Sequence, residues 1–103
     1  MYNGVKRQQR GRRMGNQDLM ILYDEKENTR TRFISFVGDT NRFDLAITFT
    51  DRFYGKLLVL NLQSSRFAII GPDDLEEPGY LEEVYQLSEE EAEELRQFLY
   101  TLV

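Results

Sequence analysis

The chain has 103 residues, a length that fits one domain with a modest hydrophobic core. It contains no histidine and no cysteine, which excludes disulfide frameworks, Ser-His-Asp and Cys-His catalysis, and the usual zinc sites. No apolar run approaches the ~20 residues that a membrane-spanning helix needs.

The first 16 residues form a basic segment, called the basic arm below. The arm contains no acidic residue, so it carries +5 and leaves −10 on the rest of a chain whose net charge is −5. The arm has too few apolar side chains to offset the conformational entropy that it would lose on ordering, so we predict that it is disordered. We therefore divide the chain into a disordered extension, residues 1–16, and a single α+β domain, residues 17–103. The cations of the arm are Lys6, Arg7, Arg10, Arg12 and Arg13.

About five short strands are predicted in the first two thirds of the domain. Residues 19–23 and 31–37 give the first two. Residues 42–62 give a hairpin, because apolar and polar residues alternate through Phe49 and an apolar run begins again at Leu57. Gly55 supplies the left-handed conformation that the connection of the hairpin requires. Residues 66–70 form the fifth strand, which ends at Gly71 and Pro72.

Helical periodicity replaces the two-residue period after Pro72. A helical turn is predicted at residues 73–77, and a short helix at residues 80–87. The last helix begins with a capping box, Ser88 and Glu91, and continues as an amphipathic segment. Strands followed by helices predict an α+β fold with an antiparallel sheet and C-terminal helices packed on one face. A curled, barrel-like sheet is the variant of this fold.

The central strands are apolar on both faces, whereas one helix of about 20 Å covers only one face. Monomers rarely expose apolar patches beyond a few hundred Å². We therefore expect either closure of the sheet or a homodimer through its uncovered face.

Several charged groups are candidate sites. Acidic residues 73–77 offer oxygen ligands for Mg²⁺ or Ca²⁺, but they lack the spacing of a calcium loop, so a solvated helix start is favoured. Asp44 would have a raised pKa if it faced the covered side, and otherwise it pairs with an arginine in solvent. Six cations near strand ends either converge on an anion or form cross-strand pairs, the reading we favour. These cations are Arg30, Arg32, Arg42, Arg52, Lys56 and Arg66.

The hairpin connection is a candidate interaction site. Arg52, Phe53, Tyr54 and Lys56 place two aromatic residues between cations, a composition typical of protein interfaces and also suited to base stacking. The alternative is that an aromatic side chain folds back onto the core.

Two segments, FDLAITFTDRFYGK and IIGPDDLEEPGYLEE, carry a resemblance to a family. From residue 19 to residue 103, the chain resembles a family of small uncharacterised cytosolic proteins of Gram-positive bacteria, the Firmicutes. The resemblance implies a bacterial cytoplasmic protein, and it supplies no mechanism and no catalytic residues. The basic arm lies outside it.

Three functional hypotheses follow. The first is a non-enzymatic protein-interaction or regulatory module, dimeric, whose acidic helices suit a basic protein partner. It requires no cofactor, no metal and no membrane. The second is a nucleic-acid-associated protein that uses the basic arm and the hairpin connection. The third, ranked last, is a phosphoester hydrolase that depends on carboxylates such as Asp44, Asp73 or Asp74.

Overall fold

A computed structural model describes residues 18–103. Four antiparallel strands follow one another as a meander, in the order β1, β2, β3, β4. The strands are β1 (Arg30–Val37), β2 (Arg42–Phe49), β3 (Leu57–Asn61) and β4 (Arg66–Ile70). Three helices complete the fold: α1 (Pro72–Leu75), α2 (Tyr80–Tyr85) and α3 (Glu89–Tyr100). The predicted α+β class, with an antiparallel sheet and C-terminal helices, is confirmed.

The sheet has four strands, so the prediction of a fifth strand at residues 19–23 is wrong. Met20 forms only an isolated bridge, and its neighbours have no regular structure. Leu22 is 85% exposed, and Leu19, Met20 and Tyr23 are more than half exposed. Strands are stabilised when their side chains pack against apolar neighbours, and the exposed side chains of this segment gain no such stabilisation.

The sheet is open, because β1 pairs only with β2 and β4 pairs only with β3. The curled, barrel-like variant is therefore wrong. Between β2 and β3 the chain makes a short 3₁₀ turn, Asp51–Phe53, and Tyr54 and Gly55 then take left-handed conformations with φ of 55° and 87°. The predicted role of Gly55 is confirmed.

The helices cover one face of the sheet and bury its side chains there. Phe43, Leu45 and Ile47 of β2 are fully buried, as are Leu95 and Leu99 of α3. The Tyr85 hydroxyl of α2 donates a hydrogen bond to the Val59 carbonyl of β3 at 2.7 Å. This face of the sheet and the three helices together form the core.

Helix α3 begins as the sequence predicts. The Ser88 side chain accepts a hydrogen bond from the Glu91 amide, and the Glu91 carboxylate accepts one from the Ser88 amide. The ring of Phe98 lies 4.7 Å from that of Phe36 on β1, measured between centroids. Local capping fixes where α3 starts, and its apolar stripe fixes which side meets the sheet.

Candidate functional site: the open face of the sheet

The face of the sheet opposite the helices, called the open face below, carries an apolar row that crosses all four strands. Strand register places Phe33 opposite Ala46, Ala46 opposite Leu60, and Leu60 opposite Phe67. Phe33 is 76% exposed and Phe67 is 63% exposed, whereas Ala46 is buried between its neighbours. Each exposed phenyl ring presents apolar area that only a further contact would remove from water.

The remaining positions of the open face are mostly apolar or neutral. Two cross-strand threonines, Thr31 and Thr48, hydrogen-bond to each other at 2.9 Å. Alternation along the four strands assigns to this face Thr31, Phe33, Ser35, Val37, Arg42, Asp44, Ala46, Thr48, Leu58, Leu60, Phe67 and Ile69.

The charges of the open face neutralise each other. Asp44 forms an ion pair with Arg42, 3.2 Å away, and accepts hydrogen bonds from Ser35 and Gln63. The hydrogen bond from Ser35 is the main cause that holds the pKa of Asp44 below its ordinary value, with Arg42 adding to it. Asp44 therefore faces away from the helices as an ionised carboxylate, and the condition under which it was a catalytic candidate is not met.

The helical side, in contrast, is strongly acidic. Residues 73–94 contain eleven carboxylates and no lysine or arginine. In α3, Arg96 is the cation that faces them, and it pairs with Glu82 and Glu93. The molecule thus has an acidic helical side and a neutral, apolar open face.

The structure places the four predicted interaction residues of the hairpin connection in different environments. Arg52 pairs with Glu25 and Glu27 and lies 5.9 Å from the Tyr23 ring centroid, and the hydrogen bond with Glu25 is the main cause that raises its pKa. Lys56 lies between two carboxylates of α1. Phe53 is half-buried, and Tyr54 is 98% exposed. Their role in interaction stays a prediction.

Lys56 fixes the start of α1. Its ammonium lies 3.0 Å from Asp74 and 3.4 Å from Asp73, and the hydrogen bond with Asp74 is the main cause that raises its pKa. The Asp74 carboxylate also accepts a hydrogen bond from the Gly71 amide. Within residues 18–103, no cluster of three acidic side chains is arranged to hold a metal ion.

The six cations near strand ends do not converge at one edge. Arg42 lies on the open face, and Arg66 lies at the start of β4. Arg30, Arg32 and Lys56, however, line one cleft on the other side of the sheet. Sequence reasoning placed these three in a candidate set without separating them from the rest, because alternation shows which side chains of one strand share a face, but not which residues of other strands lie beside them.

The sequence interpretation anticipated an uncovered apolar face but named none of its residues. Alternation along residues 31–37 already separates Phe33 from Ile34 and Phe36, so the signal was present. The alternating pattern does not show which of the two faces the helices cover. The basic-arm candidates, Lys6, Arg7, Arg10, Arg12 and Arg13, lie outside the described residues, and nucleic-acid binding by them stays a prediction.

No helix among residues 18–103 combines the length and the hydrophobicity that a bilayer-spanning segment needs. Comparison with protein families matches residues 22–101 to the SAV0927-like family, so the chain belongs to that family. No curated protein matches it.

Proposed function

We propose that this member of the SAV0927-like family is a non-enzymatic interaction module that forms a homodimer through the open face. The observation that carries the proposal is the apolar row from Phe33 to Phe67, exposed at both ends on a face without net charge. The absence of histidine and cysteine from the sequence supports the non-enzymatic part. We place the protein in the cytoplasm of a Gram-positive bacterium, in line with the resemblance described above.

Charge favours a second copy as the occupant of the open face. Two acidic helical sides repel each other, so copies can associate only where the carboxylates stay apart. Sheets pack about 10 Å apart, and each helical layer lies about a further 10 Å outside its sheet. The acidic helices of such a dimer are about 30 Å apart, well beyond a Debye length of roughly 8 Å at physiological salt.

The size of the open face sets the strength expected of this dimer. Four strands of five to eight residues cover about 20 Å by 20 Å. Such a contact is at the small end of specific interfaces. We therefore expect dissociation in the micromolar range and a monomer–dimer equilibrium that depends on protein concentration.

Sedimentation equilibrium over a range of protein concentrations tests the proposal. The full chain should dimerise, and the double variant Phe33→Ser/Phe67→Ser should be monomeric while keeping its circular dichroism spectrum. Tyr54→Asn is the matched control, because Tyr54 is a more exposed aromatic residue away from the open face, and asparagine tolerates its left-handed conformation. A wild-type monomer at about 100 μM, or dissociation by Tyr54→Asn alone, would refute the assignment of the interface.

A nucleic-acid role is the alternative, supported by the five cations and the absence of acids in the basic arm. Binding through the arm should weaken steeply with salt, because it releases counterions from phosphates. Fluorescence anisotropy with generic RNA and DNA, at low and physiological salt, would compare the full chain with a chain that starts at Gly15. Equal binding by both chains, or no binding by either, would remove the arm from this role.

A further inference from the structure

A cleft of about 760 Å³ lies on the helix-facing side of the sheet, beside the turn between β2 and β3. Arg30 and Arg32 belong to the side of β1 that carries Ile34 and Phe36, and they lie across from Phe49 and Ile47 of β2. Side chains two positions apart on a strand stand about 7 Å from each other. The two arginines therefore project together into the cleft, which is called the arginine cleft below.

Among residues 18–103, the two arginines have no carboxylate partner, although the body carries a net charge of −10. Four other cations of the described chain are paired: Arg42 with Asp44, Arg52 with Glu25 and Glu27, Lys56 with Asp73 and Asp74, and Arg96 with Glu82 and Glu93. Lys26 and Arg66 form no ion pair within the described part of the chain, but neither lines the arginine cleft. Over residues 18–103, Arg30 and Arg32 form no ion pair and donate no hydrogen bond to another side chain.

The acidic residues that line the arginine cleft do not neutralise it. Glu27 accepts a hydrogen bond from Thr50 and pairs with Arg52, so its charge is already compensated. Lys56 also lines the cleft, but its charge is compensated by Asp73 and Asp74. Asp51 is the second acid of the lining, so two unpaired arginines stand against one further carboxylate. Charge inside the arginine cleft is therefore positive, although the body around it is strongly negative.

Polar and apolar surfaces meet inside the cleft. Phe49 is half-buried and Leu57 is 6% exposed, and together they give the cleft an apolar floor. Thr29 and Thr50 add hydroxyl groups at its rim. A pocket with an apolar floor and a few convergent charged groups is the usual form of a small-molecule site.

We propose that the arginine cleft binds a small organic anion, with its phosphate or carboxylate group held between Arg30 and Arg32 and its apolar part on Phe49 and Leu57. Planar guanidinium groups bind both kinds of oxyanion through paired hydrogen bonds. The site is independent of the proposed dimer, because it lies on the opposite side of the sheet from the apolar row. A ligand there could be bound by a monomer or by a dimer, so the two proposals fail separately.

The alternative role for the two arginines is protection of the edge. β1 is an edge strand, and charged residues on edge strands discourage pairing with other chains. That role needs no ligand, and it predicts aggregation rather than loss of binding when the arginines are neutralised.

Titration of the isotope-labelled full chain with phenyl phosphate, followed by amide chemical shifts, tests the proposal. Saturable shifts should concentrate at residues 29–32, Thr50 and Lys56. Inorganic phosphate should bind roughly tenfold more weakly, because it offers no ring to the Phe49 floor. Benzoate distinguishes a carboxylate site from a phosphate site, and binding of either aromatic anion supports the proposal.

Two variants make the test specific. Arg30→Gln/Arg32→Gln should weaken binding of phenyl phosphate by tenfold or more, roughly the effect of losing a charge-assisted hydrogen bond. Arg66→Gln removes an exposed strand arginine outside the cleft and should leave binding unchanged. Three outcomes would overturn the proposal: no saturable shift with any of the three anions, equal weakening by Arg66→Gln, or unchanged binding in the double variant. Unchanged binding with aggregation would assign the two arginines to protection of the edge.

Discussion

Phe43 and Phe33 lie on neighbouring strands and have the same side chain, but they face opposite sides of the sheet. Phe43 is fully buried beneath the helices, with its ring 5.1 Å from that of Phe36. Phe33 is 76% exposed on the open face. The apolar content of a strand therefore sets how much surface could be buried, whereas the element packed against each face decides how much of it is buried in the monomer.

The largest expected effect is the difference between these two phenylalanines. Phe43→Ala should lower the free energy of unfolding by about 3–5 kcal/mol, because it leaves a cavity in a closed core. Phe33→Ala should cost less than about 1 kcal/mol at protein concentrations where the chain is monomeric. Urea denaturation of both variants measures the difference. Similar losses would mean that the open face is covered in the isolated chain.

A smaller loss in the free energy of unfolding is expected when the buried hydroxyl group of Tyr85, on the covered face, is removed. Tyr85→Phe removes the hydrogen bond to the Val59 carbonyl, and it should cost about 1 kcal/mol in the free energy of unfolding at neutral pH. Differential scanning calorimetry against the wild type gives this cost. A variant more stable than the wild type would show that the hydrogen bond does not offset the burial of the hydroxyl.

Tyr85 also predicts sensitivity to alkali. Burial raises the pKa of Tyr85 far above its ordinary value near 10. In the unfolded chain, the phenol ionises as the pH rises through 10, while in the folded chain it stays protonated. Stability should therefore be intact below pH 10 and fall above it. Tyr85→Phe should flatten this alkaline decline, and an unchanged slope in the variant would assign it to other groups whose pKa is raised, such as Lys56.

A contact between α3 and the turn that joins β1 and β2 should contribute to the free energy of unfolding by about as much as the Tyr85 hydrogen bond, or less. The Glu94 carboxylate accepts a hydrogen bond from the Thr40 amide at 2.9 Å, and a Cβ added at Gly38 would overlap that carboxylate. Gly38→Ala should therefore displace Glu94 and cost up to about 1 kcal/mol. Glu94→Ala supplies the reference background: Gly38→Ala should add little further loss there, because the overlapping carboxylate is gone, and an equal added loss would refute the overlap as the cause.

The smallest effect is expected on the open face, at acidic pH. The hydrogen bond from Ser35 and the charge of Arg42 lower the pKa of Asp44, so its contribution is present above the unfolded-state pKa and is lost as the pH falls through the folded-state value. Arg42 is exposed and Asp44 is partly exposed, so the loss should be slight and should shrink further in high salt. Acid titrations of the wild type and Asp44→Asn, compared by circular dichroism, measure it. A large salt-independent difference would show that the open face is closed off from water.

Much of the fold was predictable because its signals are local. The two-residue period of β2 and the glycine at position 55 specified the central hairpin. Likewise, the reciprocal hydrogen bonds of Ser88 and Glu91 fixed the start of α3. The candidate sites were less predictable, because Arg30 and Arg32 form a pair only through their shared face of β1, at a position that the helices leave uncovered.

The sequence by itself determined the class of fold, the position of the last helix and the acidic character of the helical side, since each depends on neighbours along the chain. Only the tertiary structure decided that residues 19–23 stay outside the sheet, that Phe43 is buried while Phe33 is exposed, and that two unpaired arginines share a cleft. These features depend on which surfaces meet across long sequence separations. The same alternating pattern can satisfy more than one such arrangement, so packing makes the choice.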